Sequence, residues 1–102
     1  MTEKEWIKRV KRNGYNLAEC EYQTSAICLA AVLQHGCALH YVKVQTPAIC
    51  LAAVKQDGLS FQYVKEQTLK VCLAAVRNEP RAINYINSIE MQGMVRLLVG
   101  VV

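Results

Sequence analysis

Hydrophobic positions along this chain recur with a period of 22 residues. The apolar run Cys28-Leu29-Ala30-Ala31-Val32 returns with the same five residue types at 50–54 and again at 72–76. Other positions keep the same step, including Gln-Thr pairs at 23–24, 45–46 and 67–68 and glycines at 14, 36 and 58. A fixed period of this size indicates a tandem repeat in which each unit packs on copies of itself.

Each unit carries the pattern of a long helix followed by a short one. In the third unit Thr46 is a good N-cap and Pro47 suits the first helical position, so a long helix is predicted to run to Asp57. Gly58 is predicted to close that helix in the left-handed conformation. Apolar residues at helical spacing then predict a short helix over 59–65.

The long helices in the middle of the chain lack a polar side. Residues 48–54 are all apolar, whereas a surface helix normally pairs an apolar stripe with a polar face. We expect such a helix to touch both neighbouring units and its own short helix, and so to lose contact with water nearly all round. The degraded copies at 6–10 and 94–98 place Lys8, Arg9 and Arg96 in the alanine positions, as the terminal units of a repeat stack require.

The sequence therefore predicts an all-α fold, a short right-handed α-solenoid of about four two-helix repeats plus a closing C-terminal helix. The chain is expected to form one helical-repeat domain over 1–102, with units at 2–23, 24–45, 46–67 and 68–89 and a closing half-unit at 90–102. A leucine-rich repeat is disfavoured because its L-x-x-L-x-L-x-x-N frame is missing. Tetratricopeptide and ankyrin units are too long.

The shared pattern C-L-A-A-V-x-x-x-G-x-x-L-x-Y-V, followed by x-x-Q-T, resembles a family of short tandem helical repeats known as a domain of unknown function. The resemblance covers residues 6–98 and implies the repeat fold. It implies no reaction, cofactor or catalytic residue. The copies at 6–10 and 94–98 depart from the pattern, which we attribute to the chain ends. Pro80 stands where glycine is expected, which predicts a different turn with the proline starting the next helix.

Composition and cysteine spacing restrict the function classes. The chain is 53% hydrophobic and 20% charged, as in a globular protein, and its longest apolar run is too short to cross a membrane. Five cysteines without a C-x-x-C pair fit neither a zinc site nor a secreted disulfide framework. We therefore expect reduced thiols, a cytoplasmic location, no secretory signal and no cofactor or metal.

Two groups of residues are candidate partner-binding sites. Five of the twelve basic residues lie within residues 1–12, and four of them are predicted to share one face of the first helix: Lys4, Lys8, Lys11 and Arg12. They form either a docking patch for phosphate or an acidic protein, or a solvated cap. The second group is a tyrosine row followed by lysines, which is either a recognition stripe or packing: Tyr41, Tyr63, Tyr85, Lys43 and Lys65.

Two further rows have structural and functional interpretations. The cysteines at 28, 50 and 72 are either buried small residues or a thiol row, and the repeated glutamines either bond the neighbouring unit or face a ligand. The serines and histidines form no nucleophilic arrangement, so an enzyme is not predicted. The sequence favours a non-catalytic protein–protein interaction module, as an adaptor or inhibitor of a larger complex. The alternative is nucleic-acid binding through the basic N-terminal helix. The apolar C-terminal end also suggests a homodimer.

Overall fold

The computed structural model describes residues 1–100, and this part of the chain is helical throughout, without strands. Five α-helices alternate with four 3₁₀ helices. The α-helices are α1 (Glu3–Arg12), α2 (Ser25–Gln34), α3 (Pro47–Gln56), α4 (Leu69–Asn78) and α5 (Ile89–Val99). The 3₁₀ helices are η1 (Gly14–Glu19), η2 (Gly36–Tyr41), η3 (Gly58–Tyr63) and η4 (Pro80–Tyr85). The predicted all-α repeat fold is confirmed.

The repeats stack into an elongated body of 48 × 20 × 16 Å with two layers. The α-helices lie side by side in one layer, each packed on the next, and the 3₁₀ helices form the second layer. Each interior α-helix also packs on the 3₁₀ helix before it and the one after it. The core lies between the layers, where Leu17, Leu39 and Phe61 of the 3₁₀ layer are fully buried.

Threonine begins each interior α-helix, as the sequence predicts. The Oγ1 atom of Thr46 accepts the backbone N–H of Ile49 at 3.2 Å, and Pro47 occupies the first helical position. The helices α2 and α4 begin in the same way, at Thr24 and Thr68. Each threonine thus satisfies one of the backbone donors that a helix N-terminus leaves free.

The interior α-helices do not end in a left-handed glycine, so that prediction for Gly58 is wrong. Asp57, at the C-cap, is extended with φ −150°, and within residues 1–100 Gly100 is the one residue with positive φ. Glycine is required instead by close packing. A Cβ atom on Gly36 would lie 2.5 Å from the carbonyl oxygen of Ala53, in the next α-helix. The segment that follows is a 3₁₀ helix ending at Tyr63.

Pro80 starts η4 as predicted, but the turn before it matches the others. Glu79 has φ −140° and ψ 103°, close to the −150° and 110° of Asp57. In the earlier units a glycine stands in the place of Pro80, and its backbone N–H donates to a side chain of the next α-helix, as that of Gly36 does to Gln56 at 2.5 Å. Because α5 starts after Ser88, the residue in the place of Gln56 is Leu98, whose side chain cannot accept a bond. A residue without an N–H therefore fits here.

The predicted burial of the interior α-helices holds on three sides but not on the outer one. Ala53 is fully buried, whereas Ala52 is half-buried, and Leu33 is 59% exposed. A two-layer stack covers the inner side of each α-helix and both flanks. Its outer side faces solvent although most of its residues are apolar.

The terminal helices differ from the interior ones, as expected for capping units. In α1, Arg9 stands 22 residues before the buried Ala31, pairs with Glu19 and lies 5.0 Å over the ring of Trp6. The closing helix α5 begins 20 residues after α4, not 22, because Ser88 caps it. Counted from its cap, α5 places residues 92–96 where the interior helices have C-L-A-A-V, so the predicted alignment of 94–98 is wrong by two residues.

Candidate functional site

The repeated glutamines join each unit to the next. The amide Nε2 of Gln45 donates to the carbonyl of Tyr63 at 2.7 Å, and its Oε1 accepts the backbone N–H of Lys65 at 3.0 Å. Gln23 and Gln67 make the same pair of bonds one unit earlier and one unit later. Both ends of the amide are thus used on the backbone of the following unit, as the structural interpretation predicts.

The cysteines at 28, 50 and 72 lie beside the glutamines that join the units. Each of these thiols is buried, and burial raises the pKa of all three. Cys50 Sγ donates to Gln45 Oε1 at 3.4 Å, and Cys28 does the same to Gln23. A thiol whose pKa is raised stays protonated at neutral pH and is a weak nucleophile. Within residues 1–100, no three His, Cys, Asp or Glu side chains lie close enough together to hold a metal ion.

The side chains of the tyrosine row are only partly exposed to solvent. Tyr41 and Tyr85 are about two-fifths exposed and Tyr63 is half-buried. The ring of His40 lies between two members of the row, 5.0 Å from the centroid of Tyr41 and 4.7 Å from that of Tyr63. Tyr41 and Tyr63 each pack on a ring of the preceding unit, Tyr41 on Tyr15 at 6.4 Å and Tyr63 on His40.

The two lysines that follow the tyrosine row are exposed at the edge of the stack. Lys43 Nζ donates to the carbonyl of Glu21 at 2.8 Å, so its ammonium group is tied to the preceding unit. The backbone N–H groups of both lysines are held by the glutamines, whereas their side chains face solvent: Lys43 and Lys65.

The basic residues of α1 lie on the outer face of the stack. Lys4, Lys8 and Lys11 are exposed, and so is Arg12. One 22-residue step places the three lysines in register with Ala26, Ala30 and Leu33 of α2, which line the outer face of the next helix. The predicted basic patch is therefore continuous with the outer sides of the interior helices.

An apolar strip on that outer face was missed from the sequence, because interior helices were expected to be covered all round. It consists of leucines at matching positions of consecutive helices, with alanines between them and Leu33 of α2 beside them: Leu29 of α2, Leu51 of α3 and Leu73 of α4. Leu29 is 37% exposed, and Leu51 and Leu73 are half-buried. A signal was present in the repeat itself. The position of Leu33 holds Lys55 and Arg77 in the next copies, and such a change is tolerated only beside solvent.

Two grooves cross this strip, one on each side of α3. The groove between α2 and α3 has a volume of about 510 Å³ and contains Leu33 and Leu51. The groove between α3 and α4 has a volume of about 450 Å³ and is lined by Leu51, Leu73 and Ala74. Its rim carries three cations: Lys55, Lys70 and Arg77.

The charged side chains that line the α3–α4 groove are all positive. No acidic residue lines it, and none lines the neighbouring groove. The two ion pairs within residues 1–100 lie elsewhere, joining Arg9 to Glu19 and Arg81 to Glu79. The three rim cations thus face solvent beside apolar surface, which suits a ligand with both apolar and anionic groups.

Within residues 1–100, no helix is long and apolar enough to cross a membrane. In comparisons with protein-family models, curated proteins and solved structures, none matches this chain. The resemblance to the short tandem helical repeats therefore stays a prediction, and the surface described above is interpreted from its own chemistry.

Proposed function

We propose that this chain is a non-catalytic protein-interaction module that binds a partner protein along the outer face of its α-helices. The observation that carries the proposal is the α3–α4 groove, where half-buried leucines and three cations without acidic partners lie together. Contiguous apolar surface that is left in water on a small protein marks a place where another molecule binds. A repeat stack suits this role because it presents one extended surface.

The chemistry of the groove defines the partner. Two packed helices leave between them a groove that accepts the side-chain ridge of a third helix. An amphipathic helix would place its apolar side on Leu51 and Leu73 and its acidic side chains near Lys70 and Arg77. The proposed partner segment is therefore an acidic amphipathic helix of another protein.

The biological role and the compartment belong to the same proposal. A small module without chemistry of its own acts as an adaptor, or as an inhibitor that blocks the surface of a larger complex. A cytoplasmic location is supported by the five cysteines, which are free thiols, since reducing compartments keep thiols in that state. A second copy of the chain at the C-terminal end is a separate proposed partner and would use α5 instead of this groove.

Binding of two designed helical peptides tests the proposal by fluorescence anisotropy. Both peptides carry leucines at positions i, i+4 and i+7, and their polar faces carry either glutamate or lysine. The glutamate peptide is expected to bind, and the lysine peptide is not, because the rim cations attract only the first. Equal binding of both peptides, or of neither, would contradict the proposed partner chemistry.

Charge reversal locates the binding surface. Lys70→Glu, at the rim of the groove, is expected to weaken binding of the glutamate peptide about tenfold. Lys65→Glu makes the same charge change beside the tyrosine row and serves as the matched control, with affinity expected to stay within about twofold. If Lys65→Glu weakens binding and Lys70→Glu does not, the tyrosine row is the partner surface and the groove is not.

Nucleic-acid binding through α1 is the second candidate, favoured by the exposed lysines of its outer face: Lys4, Lys8 and Lys11. Phosphate contacts release counterions, so affinity for duplex DNA would fall steeply with salt. Replacing these lysines and Arg12 with glutamine would then remove binding. DNA that is not retained even at low salt would eliminate this candidate while leaving the peptide-binding proposal intact.

A further inference from the structure

The solvent-facing side of α5 is unusually apolar for the end of a repeat stack. Ile89 and Leu97 are each 85% exposed, among the highest values for large hydrophobic side chains in the described part of the chain. They lie eight residues apart and therefore on one stripe of the helix. Val95, on the opposite side, is fully buried toward α4. The stripe thus points away from α4, and no residue of the described part of the chain covers it.

Gly93 lies on the same stripe, halfway between Ile89 and Leu97. A Cβ atom on Gly93 would meet no heavy atom within 4 Å, whereas one on Gly14, Gly36 or Gly58 would collide with the next unit. Glycine disfavours a helix interior, and Gly93 has no steric reason within this chain. A small residue between two exposed hydrophobic side chains is what a close crossing of two helices requires.

We propose that α5 packs against α5 of a second copy of the chain, in an antiparallel crossing centred on Gly93. Under two-fold symmetry, each residue before Gly93 faces the residue equally far after it in the other copy. Ile89 then meets Leu97, and Glu90 meets Arg96. The stripe is thus self-complementary in shape and in charge.

The charges on α5 are available for this pairing. Glu90 and Arg96 are both exposed, and neither takes part in the two ion pairs found within residues 1–100. They lie three residues on either side of Gly93, so one symmetric antiparallel crossing sets Glu90 of each copy level with Arg96 of the other. A parallel arrangement would instead set Glu90 against Glu90 and Arg96 against Arg96.

The opposite end of the stack disfavours the alternative, a head-to-tail filament. The side of α1 that faces away from α2, at the end of the stack, carries charged residues where the interior helices have apolar or neutral side chains: Glu5, Arg9 and Arg12 in place of Ile27, Ala31 and Gln34. Covering these charges with the apolar stripe of α5 would remove them from water and give them no new partner. Symmetric pairing of two α5 helices avoids this cost and closes the assembly at two copies.

The size of the contact defines the expected affinity. An eleven-residue helix is about 16 Å long, so one crossing buries less than the roughly 1,600 Å² of a standard interface. The dimer is therefore expected to be reversible and to dissociate on dilution.

Sedimentation equilibrium of the full chain, from about 10 µM to about 1 mM, tests the pairing. The wild-type chain is expected to shift from monomer to dimer across this range, without larger species. Leu97→Glu places two like charges against the apolar stripe and is expected to leave only monomer. A wild-type chain that stays monomeric throughout, or that forms an open series of oligomers, would overturn the proposal.

Two further variants separate the proposed crossing from unspecific association of an apolar end. Gly93→Leu adds apolar surface, so it would strengthen unspecific association, but it blocks the close crossing and is expected to weaken dimerisation at least about tenfold. Glu90→Arg is expected to weaken dimerisation by a similar factor, and the added Arg96→Glu change to restore it to within about threefold. Circular dichroism checks that each variant is folded. Stronger association of Gly93→Leu, or no recovery in the double variant, would contradict the crossing.

Failure here leaves the groove proposal unaffected, because peptide binding at α3–α4 is measured with the monomer. Conversely, loss of peptide binding says nothing about α5. The two surfaces are formed by different helices, the groove by α3 and α4 and the stripe by α5.

Discussion

Side-chain hydrogen bonds join the second and third units at both edges of the stack, whereas they join α5 to the preceding unit at one edge only. In the interior joint, the Gly36 N–H donates to Gln56 at one edge, and Gln45 clamps the third unit at the other. At the last joint the first bond cannot form, since Pro80 has no N–H and Leu98, in the place of Gln56, has no acceptor atom in its side chain. What remains is one bond, from Gln92 Nε2 to the carbonyl of Ile86 at 2.8 Å.

This difference shows what the polar ladders contribute to the fold. The apolar surfaces of successive units are nearly identical, so hydrophobic contact alone would tolerate a slip of a helix along its neighbour. Hydrogen bonds to single backbone groups do not tolerate such a slip, because a displaced amide leaves its partners unsatisfied. Interior joints therefore have a fixed register, while α5, with one of the two bonds, adopts a start two residues earlier than the repeat predicts.

The largest effect is expected from adding one methyl group to an interior glycine. Gly36→Ala would place its Cβ 2.5 Å from a backbone oxygen of α3, so the whole joint must move apart. We expect the free energy of unfolding to fall by about 3 kcal/mol. Urea denaturation followed by circular dichroism measures the change, with the m-value as a check that unfolding remains cooperative.

The same substitution in α5 provides the matched control. Gly93→Ala meets nothing within 4 Å, so helix propensity alone decides its effect. The free energy of unfolding is expected to rise by about 1 kcal/mol, at concentrations where the chain is monomeric. If both alanines shift stability in the same direction, close packing does not explain the interior glycines.

The second comparison concerns the glutamines. Gln45→Ala removes two bonds to backbone groups of the next unit, and we expect a loss of about 2 kcal/mol because those groups are left without partners. Gln92→Ala removes one such bond at the last joint, with an expected loss of about 1 kcal/mol. Thermal and urea unfolding of both variants test the ratio. Equal losses would show that the clamp is no stronger in the interior than at the end.

The repeat made most of the fold predictable from the sequence. The period, the threonine caps and the charged N-terminal helix all follow from residue types at fixed spacing, and the structure has each of them. The closure at Gly58 was mispredicted because glycine is required in two physical situations, a left-handed backbone and a close approach, that look alike in a sequence. Only the position of Ala75, 2.7 Å from a Cβ on Gly58, separates them.

The candidate surface was less predictable. An apolar helix can be covered on all sides or on three, and the sequence of 48–54 is compatible with both. Which holds depends on how many layers the units form, and that depends on long-range packing. Tyrosine is common at interfaces, so the sequence is compatible with a binding stripe at the tyrosine row, yet Tyr41 and Tyr63 each pack on a ring of the preceding unit.

The smallest expected effect concerns the caps, where the terminal and interior helices again differ. Thr46 alone caps α3, because the residue at the third helical position, Ile49, has no polar side chain. Thr2 caps α1 together with Glu5, whose carboxylate accepts the N–H and Oγ1–H of Thr2. These hydrogen bonds, first that of the backbone and then that of the side chain, lower the pKa of Glu5 below its ordinary value.

A carboxyl group whose pKa is lower in the folded chain stabilises the fold above its unfolded pKa, and this contribution is lost as pH falls through the folded pKa. Glu5→Gln keeps an acceptor oxygen but does not titrate there. The difference in melting temperature between wild type and Glu5→Gln should therefore be constant near neutral pH and shrink below about pH 4.5. Because Glu5 is exposed, we expect a small difference, resolved best at low ionic strength. The matched variant Glu3→Gln, whose carboxylate is outside the capping box, should show no such convergence with the wild type; if it does, general acid titration and not the cap accounts for the effect.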